Sequence, residues 1–546
     1  MAQSPNYLTL RSQAAFSWLS AGDPKTAQQI LQNYQIPTGN PTWWLKALID
    51  LKNKDLETVE TSLENYLGRP IQVETELTET FLFSLWDTPG GFQEKLDLAF
   101  YFPTLPPSIT GLDTPITRVQ FSKPKLIDNL IAKRHNKPTK DYGNTLEKKN
   151  SSVREVEIRG FKSIYSANIQ LGRINCFIGA NGVGKSNLLE ALGVLGAAAN
   201  GTVDDESLLR RGVRPGLPRL YKSSFISEAT PAHIAIGVTT QTKAEYRVSL
   251  LNPLDSPELA WSYKTEALGD GQKKIVSDGV RDRKNLNPKA GLAALQIVDL
   301  EPTNPAAQLM QRLQEFAIYC PNTPTLRGIV PDQQFRVPIG LSGGQLPEGF
   351  AALRQHLEND GDEGEEILEQ VLELIDWVTN IETTNLGTDL LSPEVPRTQL
   401  LLKFRDRFMQ EGRNELTAYD ASEGALYILF AALLCLLPKA PRIFAIDNLD
   451  QALNPRLLKA LISRLADWLY YNAPDRQLLF TVHNPAALDG LNLLDPEVYL
   501  FAVERNSNGQ TVIRRLTLTP ELIKLNEQYP LSRLWLMGHL GAVPNV

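Results

Sequence analysis

Cysteine is scarce: Cys176, Cys320 and Cys435 are the only three in 546 residues, too few and too scattered for a disulfide framework or a thiolate metal cluster. That scarcity points to a reducing, cytoplasmic setting. Histidine is sparse as well, and His135, His233, His356, His483 and His539 fall at no metal-binding spacing. The longest apolar run, Ala425 to Leu437, stops at 13 residues, where a bilayer span takes about 20. It reads as a buried helix, and no membrane contact is expected. The opening Met-Ala-Gln-Ser-Pro-Asn lacks a basic region followed by an apolar stretch, so no secretory signal is expected. There is no excess of positive charge either. Fifty-five Lys plus Arg against 62 Asp plus Glu leave a net charge of −7, so any contact with nucleic acid has to be local. With 42% apolar and 21% charged residues, the composition is that of a globular chain, long enough for roughly three or four folding units.

What is present begins with a weak internal repeat. Ala15, Leu19, Asp23, Leu31 and Tyr34 recur at an offset of 32 as Ala47, Leu51, Asp55, Leu63 and Tyr66. This is close to the tetratricopeptide period of about 34, although an ordinary helical subdomain accounts for two such units equally well. A helical, TPR-like region is therefore expected over 1–115, ending in a Pro-rich stretch from Phe102 to Pro115. A basic linker follows over 116–150, carrying Lys123, Lys125, Lys133, Arg134, Lys137, Lys140, Lys148 and Lys149. It is solvated by default and is the best sequence-local candidate for touching a polyanion.

From Val153 the pattern changes. Alternation predicts strands over Val153 to Ile158, Ala167 to Leu171, Ile234 to Val238 and Tyr246 to Leu250, the last two as antiparallel hairpin strands. Ile174 to Ile178 is a short apolar strand that runs into Gly179-Ala180-Asn181-Gly182-Val183-Gly184-Lys185-Ser186-Asn187, which opens a helix. This is a Walker A pattern in its proper strand-to-helix context. Its glycines let successive N–H groups face phosphates, Lys185 supplies a point charge, and Ser186 is placed to ligate Mg²⁺. ATP and Mg²⁺ are the cofactors expected. Glu365 to Ile381 has helical spacing and Gln399 to Phe404 reads as a strand. The order helix, strand, helix, strand over Gly424 to Leu437, Arg442 to Ile446, Pro455 to Leu469 and Gln477 to Val482 implies a parallel sheet.

Glu157-Ile-Arg-Gly-Phe-Lys-Ser163 followed by the Walker A segment resembles the N-terminal half of the ABC-type ATPases of the RecF, SMC and OLD group. Ile443-Phe-Ala-Ile-Asp447-Asn448-Leu-Asp450-Gln-Ala-Leu-Asn454 resembles their Walker B strand and D-loop, and Phe480-Thr-Val-His483-Asn-Pro485 their switch-histidine segment. The likeness spans residues 151 to about 545, at motif level between 200 and 395. Leu531 to Pro544 is similar to the tail of ATPases from bacterial defence loci. The resemblance implies an α/β fold: an ABC-type P-loop ATPase head with an antiparallel β subdomain and a helical lobe, joined to the N-terminal helical region. Its expected parts are 151–265 for the N-terminal half, 266–395 for the lobe and 396–546 for the C-terminal half. It also implies Asp447 as a second Mg²⁺ ligand and His483 as a γ-phosphate contact.

Two features need separate treatment. Leu341-Ser-Gly-Gly-Gln345 spells the ABC signature, yet Ser342 lies 105 residues before Asp447. Ala421-Ser422-Glu423-Gly424 lies at the family's distance, with Ser422 25 residues before Asp447, and opens the apolar helix. Ser422 and Gly424 are therefore assigned to the phosphate of an opposing subunit, and Leu341 to Gln345 to a Gly-rich turn. Second, the family places a glutamate after the Walker B aspartate as general base, and this chain has Asn448. An amide cannot take a proton at neutral pH, so firm ATP binding with slow hydrolysis is expected, with Asp450 and Glu423 as possible substitutes and Asp450 also a D-loop dimer contact.

The resemblance implies an even-numbered oligomer, at least a homodimer, that closes on ATP. The 268-residue separation of Gly179 and Asp447 holds no sustained heptads, so no long coiled-coil arm is expected, and the 63 residues after His483 are too few for a Toprim nuclease. The leading expectation is regulation of a separately encoded effector, a nuclease, as in Septu-type anti-phage systems. The alternative is a RecF-like repair ATPase closing on duplex DNA, with Arg210, Arg211 and Arg214 among its phosphate contacts. An ABC transporter subunit is disfavoured by the motif spacing.

Overall fold

The computed structural model describes residues 151–541, apart from 279–286, 333, 335 and 386–399, together with Lys46 alone. The proposed helical repeats and the basic linker lie outside the described residues. The chain divides into two compact units, Met1–Pro138 and Thr139–Val546, and the architecture below is that of the second.

Strand β1 (Val153–Phe161) buries Val156 and Ile158 while Arg159 between its apolar neighbours stays exposed, the period of two that a half-covered strand requires. It turns back at Lys162 into β2 (Ile164–Gln170), with Phe161 opposite Ile164. Strand β3 (Ile174–Ile178) is buried at every position, as a central strand covered on both faces must be, and leads through the glycine-rich loop to helix α1 (Lys185–Ala199). The chain then rejoins β1 with β4 (Ile234–Thr240), β5 (Glu245–Leu251), β6 (Ser262–Gly269) and β7 (Lys274–Asp278), completing an antiparallel sheet in the order β2-β1-β4-β5-β6-β7.

Helix α2 (Pro305–Glu315) is capped by the Asn304 side chain and precedes β8 (Ile318–Tyr319). Helices α3 (Leu346–Glu358) and α4 (Asp362–Glu373) follow, then β9 (Val378–Asn385), β10 (Leu400–Asp406) and β11 (Glu415–Thr417), which form a three-stranded antiparallel sheet. Helix α5 (Glu423–Leu436), β12 (Ile443–Ile446), α6 (Pro455–Tyr471), β13 (Gln477–Val482), β14 (Val498–Arg505) and β15 (Thr511–Leu516) close the fold. The resulting second six-stranded sheet runs β15-β14-β3-β13-β12-β8 and is parallel except at β15.

This sheet separates two cores. Cys176, Ile178, Phe444, Ile446 and Phe480 pack toward α3, α5 and α6. Alternate residues on the same strands, Phe177, Ala445, Leu479 and Phe501, pack toward α1, α2 and the antiparallel sheet. Each such aliphatic or aromatic side chain contributes about 1.5–3 kcal/mol on burial. Helix α5 is apolar around its whole circumference, and Ala425 to Leu436 are all buried; such a helix is stable only inside a core. Its C-terminal carbonyls are met by Arg476, which is 6% exposed and donates to the Cys435 and Leu437 oxygens.

Three expectations need correction. The helix read over Glu365 to Ile381 ends at Glu373, and β9 begins at Val378. The β-branched Val378, Thr379, Ile381, Thr383 and Thr384 pair with β10 instead. The lobe between the Walker motifs, expected as helical or irregular, also contains a small antiparallel sheet. The boundary placed after residue 265 falls within β6, which hydrogen-bonds to β5 on one side and β7 on the other.

Candidate functional site

The loop from β3 to α1 is shaped by close approach. A Cβ on Gly179 would sit 2.1 Å from the Val503 carbonyl oxygen, and one on Gly184 would sit 2.3 Å from Thr511 Oγ1. Gly184 also has φ 109°, a conformation costly to L-residues. Thr511 Oγ1 lies 2.6 Å from the Val183 oxygen and 2.7 Å from Ser163 Oγ, and Asn187 Nδ2 donates to Ser163 Oγ at 2.7 Å. Arg505 donates to the Gly182 oxygen through Nη2 at 2.9 Å. The loop is thus tied from outside by β15, by the β1–β2 turn and by the end of β14. Among the described residues the N–H groups of Gly182, Gly184, Lys185 and Ser186 meet no acceptor, and they stand at the N-terminus of a 15-residue helix. That is an anion cradle.

Lys185 is 5% exposed. Its ammonium donates to the Gly179 and Ala180 oxygens at 2.8 and 3.0 Å and approaches His483 Nδ1 at 3.3 Å. Burial draws its pKa down to about 8, against the pull of Asp447 and Asp450. An ammonium only donates, so His483 Nδ1 is the acceptor and the ring proton sits on Nε2. From there it donates to Asn448 Oδ1 at 3.0 Å. Desolvation, then the Lys185 charge, holds the His483 pKa below the ordinary histidine value, which keeps the ring neutral. Asn448 therefore spends its acceptor on His483 and turns its NH₂ group, a donor, elsewhere.

Asp447 follows the buried β12 strand. Its Oδ1 accepts from Thr481 Oγ1 at 2.6 Å, and Thr481 in turn accepts from Asn448 N–H at 2.8 Å. Asp447 Oδ2 has no hydrogen-bond partner among the described residues. A free carboxylate oxygen and the hydroxyl of Ser186 are hard donors of the kind Mg²⁺ selects, so the residues present fit the ion. Asp450 does not stand free: its Oδ2 accepts from the His483 and Asn484 N–H groups at 2.8 and 2.6 Å. Through that oxygen it anchors the His483–Asn484 turn within its own chain.

Beside the loop lies a cavity of about 460 Å³ lined by Lys162, Ser163, Asn187, Arg214, Tyr221 and Arg505, among others. Sequence reading quoted Lys162, Ser163 and Thr481 within motifs but gave them no role, and it missed Arg505 and Thr511. Nothing local in the sequence marks these last two, because distant strands bring them to the loop. The Arg210, Arg211 and Arg214 cluster does not form one basic surface. Arg211 is 3% exposed and donates to the Ser207 and Gln314 oxygens, Arg210 pairs with Glu206, and Arg214 pairs with Glu190. Among the described residues no group of His, Cys, Asp or Glu could hold a metal ion by itself, and no helix is long and apolar enough to cross a membrane.

Ser422 caps α5, its hydroxyl accepting from Ala425 N–H at 3.4 Å, and Ser422 and Glu423 are exposed. Gly424 follows at the start of the same helix. The Leu341–Gln345 turn precedes α3, and Asp332 Oδ2 accepts from its Ser342 and Gly344 N–H groups at 2.8 and 3.2 Å.

Two stretches match known families. Residues 152–214 match a family model described as "AAA ATPase domain". Residues 350–489 match one described as "AAA domain, putative AbiEii toxin, Type IV TA system". Both are ATPase domains of the AAA class, which supports a nucleotide-binding ATPase. Among solved structures, an Smc head bound to the C-winged helix domain of ScpA is similar at 13% identity and a TM-score of 0.41, over 68% of this chain and 99% of that one. The SMC head domain from Thermotoga maritima is similar at 13% identity and a TM-score of 0.33, over 67% and 99%. An Smc head domain from Pyrococcus furiosus, bound to the C-terminal domain of ScpA, gives 13% and 0.37, over 69% and 98%. No curated protein matches the chain.

Proposed function

We propose that this chain is an ATP-binding, slowly hydrolysing ABC-type ATPase whose two copies close on two nucleotides. In each site Lys185 and the loop N–H groups of one copy hold the phosphates, while Ser422 and Gly424 of the other complete the shell. Mg²⁺, held by Ser186 and Asp447, supplies neutralisation of phosphate charge. The observation that carries the reading is the Lys185–His483–Asn448 chain of contacts. It joins the three side chains to which this reading gives the phosphate-binding, switch and water-orienting roles. Because Asn448 accepts from His483, it has no strong acceptor to offer an attacking water. Loss of a general base costs about 10²–10⁴ in rate, so the closed state is long-lived and ATP acts chiefly as a ligand that shifts an open–closed equilibrium.

The test is phosphate release by the full chain before and after Asn448→Glu. Turnover rises by at least about tenfold if a carboxylate is what the site lacks. An unchanged rate assigns the base elsewhere. Asn448 has φ 58°, which asparagine tolerates better than glutamate, so the variant also loses about 1–2 kcal/mol of stability. The finer reading is that ATP-dependent closure regulates a separately encoded effector, a nuclease, in anti-phage defence. Its support is the likeness of Leu531 to Pro544 to the tail of ATPases from bacterial defence loci. Co-purification from the native operon checks it, and a stoichiometric partner is the expected result. DNA-stimulated turnover without a partner, weakening steeply with salt, replaces it with a repair ATPase.

A further inference from the structure

Glu190 is a carboxylate buried in α1 five residues beyond Lys185, its side chain 3% exposed. Burial at that level is costly for an ion unless it is paired. Its two oxygens take different cations: Oε2 meets Lys162 Nζ, and Oε1 meets Arg214 Nε at 2.5 Å. Both cations line the cavity beside the phosphate cradle.

Lys162 is held with care. It occupies the turn between β1 and β2 at φ 49°. Its N–H donates to the Tyr221 oxygen at 2.7 Å, and its carbonyl accepts from Ser223 Oγ at 2.8 Å. The ammonium lies over the rings of Phe161 and Tyr221, at 5.6 and 5.0 Å from their centroids. The charged groups that face it are Glu190 and Arg214, one of each sign. Burial lowers its pKa, Arg214 adds to that, and Glu190 opposes it. Without Glu190, the easier state for a desolvated lysine next to an arginine is the neutral amine.

We propose that Glu190 is a positioning residue of the nucleotide site: it keeps Lys162 charged and directed into the cavity beside Arg214, so that a polyphosphate meets two adjacent cations. This rests on the nucleotide-binding reading above. A carboxylate that served only to fasten α1 to the β1–β2 turn would be replaceable by apolar packing, since a buried ion pair adds little net stability over well-packed hydrophobic groups.

The experiment measures equilibrium binding of N-methylanthraniloyl-ATP with Mg²⁺ to the full chain from about pH 6.5 to 9, for wild type, Glu190→Gln, Lys162→Met and the double variant. Glu190→Gln weakens binding by about tenfold at pH 8, and the loss grows as pH rises, because Lys162 sheds its proton sooner. Lys162→Met removes that extra slope, and the double variant binds within about twofold of Lys162→Met, as coupling through a shared partner requires. Lys185 titrates in all four proteins and cancels in the comparison. A Glu190→Gln profile parallel to wild type overturns the proposal, and so does a double variant much weaker than Lys162→Met. That last pair carries the test if Glu190→Gln does not fold. A Lys185→Ala control separates the two levels. If it binds as well as wild type, the nucleotide reading fails; if it loses binding while Glu190→Gln behaves as wild type, only the role of Glu190 fails.

Discussion

Two segments of this chain set a serine and glycine at or before the start of an α-helix, and they differ in who already owns their backbone donors. In the Leu341–Gln345 turn, Asp332 accepts from the N–H groups of Ser342 and Gly344. The Leu341 and Ser342 oxygens accept from Cys320 and Asn322, and a Cβ on Gly343 would press to 2.3 Å from Leu326 Cδ2. An internal anion sits where a phosphate would have to bind. At Ala421–Gly424 the serine is exposed, its capping bond is long at 3.4 Å, and among the described residues no acid accepts from the turn's N–H groups. The segment that spells the signature in full is the one with its donors spent. A phosphate site is made by unclaimed N–H groups at a helix start, and spelling alone does not reveal which are unclaimed.

The comparison is tested hardest at the third glycine-rich helix start, the Walker A loop, where donors are open and a lysine is added. Lys185→Ala should weaken nucleotide binding by at least about 100-fold, because a buried charge-assisted contact to phosphate is worth about 2–3 kcal/mol or more. Nucleotide titration monitored by fluorescence measures it. Retained affinity would mean that open N–H groups alone define the site and that the lysine is incidental.

A second break point lies at Ser422. Ser422→Ala removes the cap, costing about 1 kcal/mol of stability, yet should leave nucleotide affinity of the single chain within about twofold, because Lys185 and the loop are intact. The expected defect is in assembly: sedimentation with Mg²⁺ and ATP should show the dimer weakened by at least about tenfold, as loss of one phosphate-shell hydrogen bond per site implies. Normal dimerisation would remove Ser422 from the shared seam.

These differences mark how far the sequence was readable. β3 and β13 stand out because an unbroken apolar run ending at a glycine or a polar turn is what a doubly covered strand requires, and both match the expected bounds of Ile174–Ile178 and Gln477–Val482. α5 stands out for the same reason in helical form. β8 does not, because two residues, Ile318 and Tyr319, carry no period, although their strand lies beside β12 and fixes Asp447 N–H through the Tyr319 oxygen at 2.9 Å. Within the site, the residues that would touch phosphate are local in sequence and legible. Those that hold them are not: Thr481 reads as an ordinary strand threonine, Glu190 as an acid on a helix face, and Arg505 and Thr511 as parts of a distant hairpin. Each acquires its role only through contacts far along the chain, such as the 328-residue separation between Thr511 and Val183.

The smallest expected effects fall on the closed turn, and they sharpen the contrast most cleanly because two variants there should part company. Asp332→Ala strips the acceptor from three N–H groups at once, those of Gln334, Ser342 and Gly344. Each orphaned, partly buried donor costs about 1–3 kcal/mol, so thermal unfolding should shift measurably downward. Ser342→Ala leaves those backbone bonds in place and removes a hydroxyl for which no partner is found among the described residues. Its stability should stay within about 0.5 kcal/mol of wild type, and ATP-dependent dimerisation should be unaltered in both. Should Ser342→Ala instead abolish dimerisation while Ser422→Ala does not, the donors held by Asp332 must be released on closure. The five-residue spelling would then be the true signature despite its distance from Asp447.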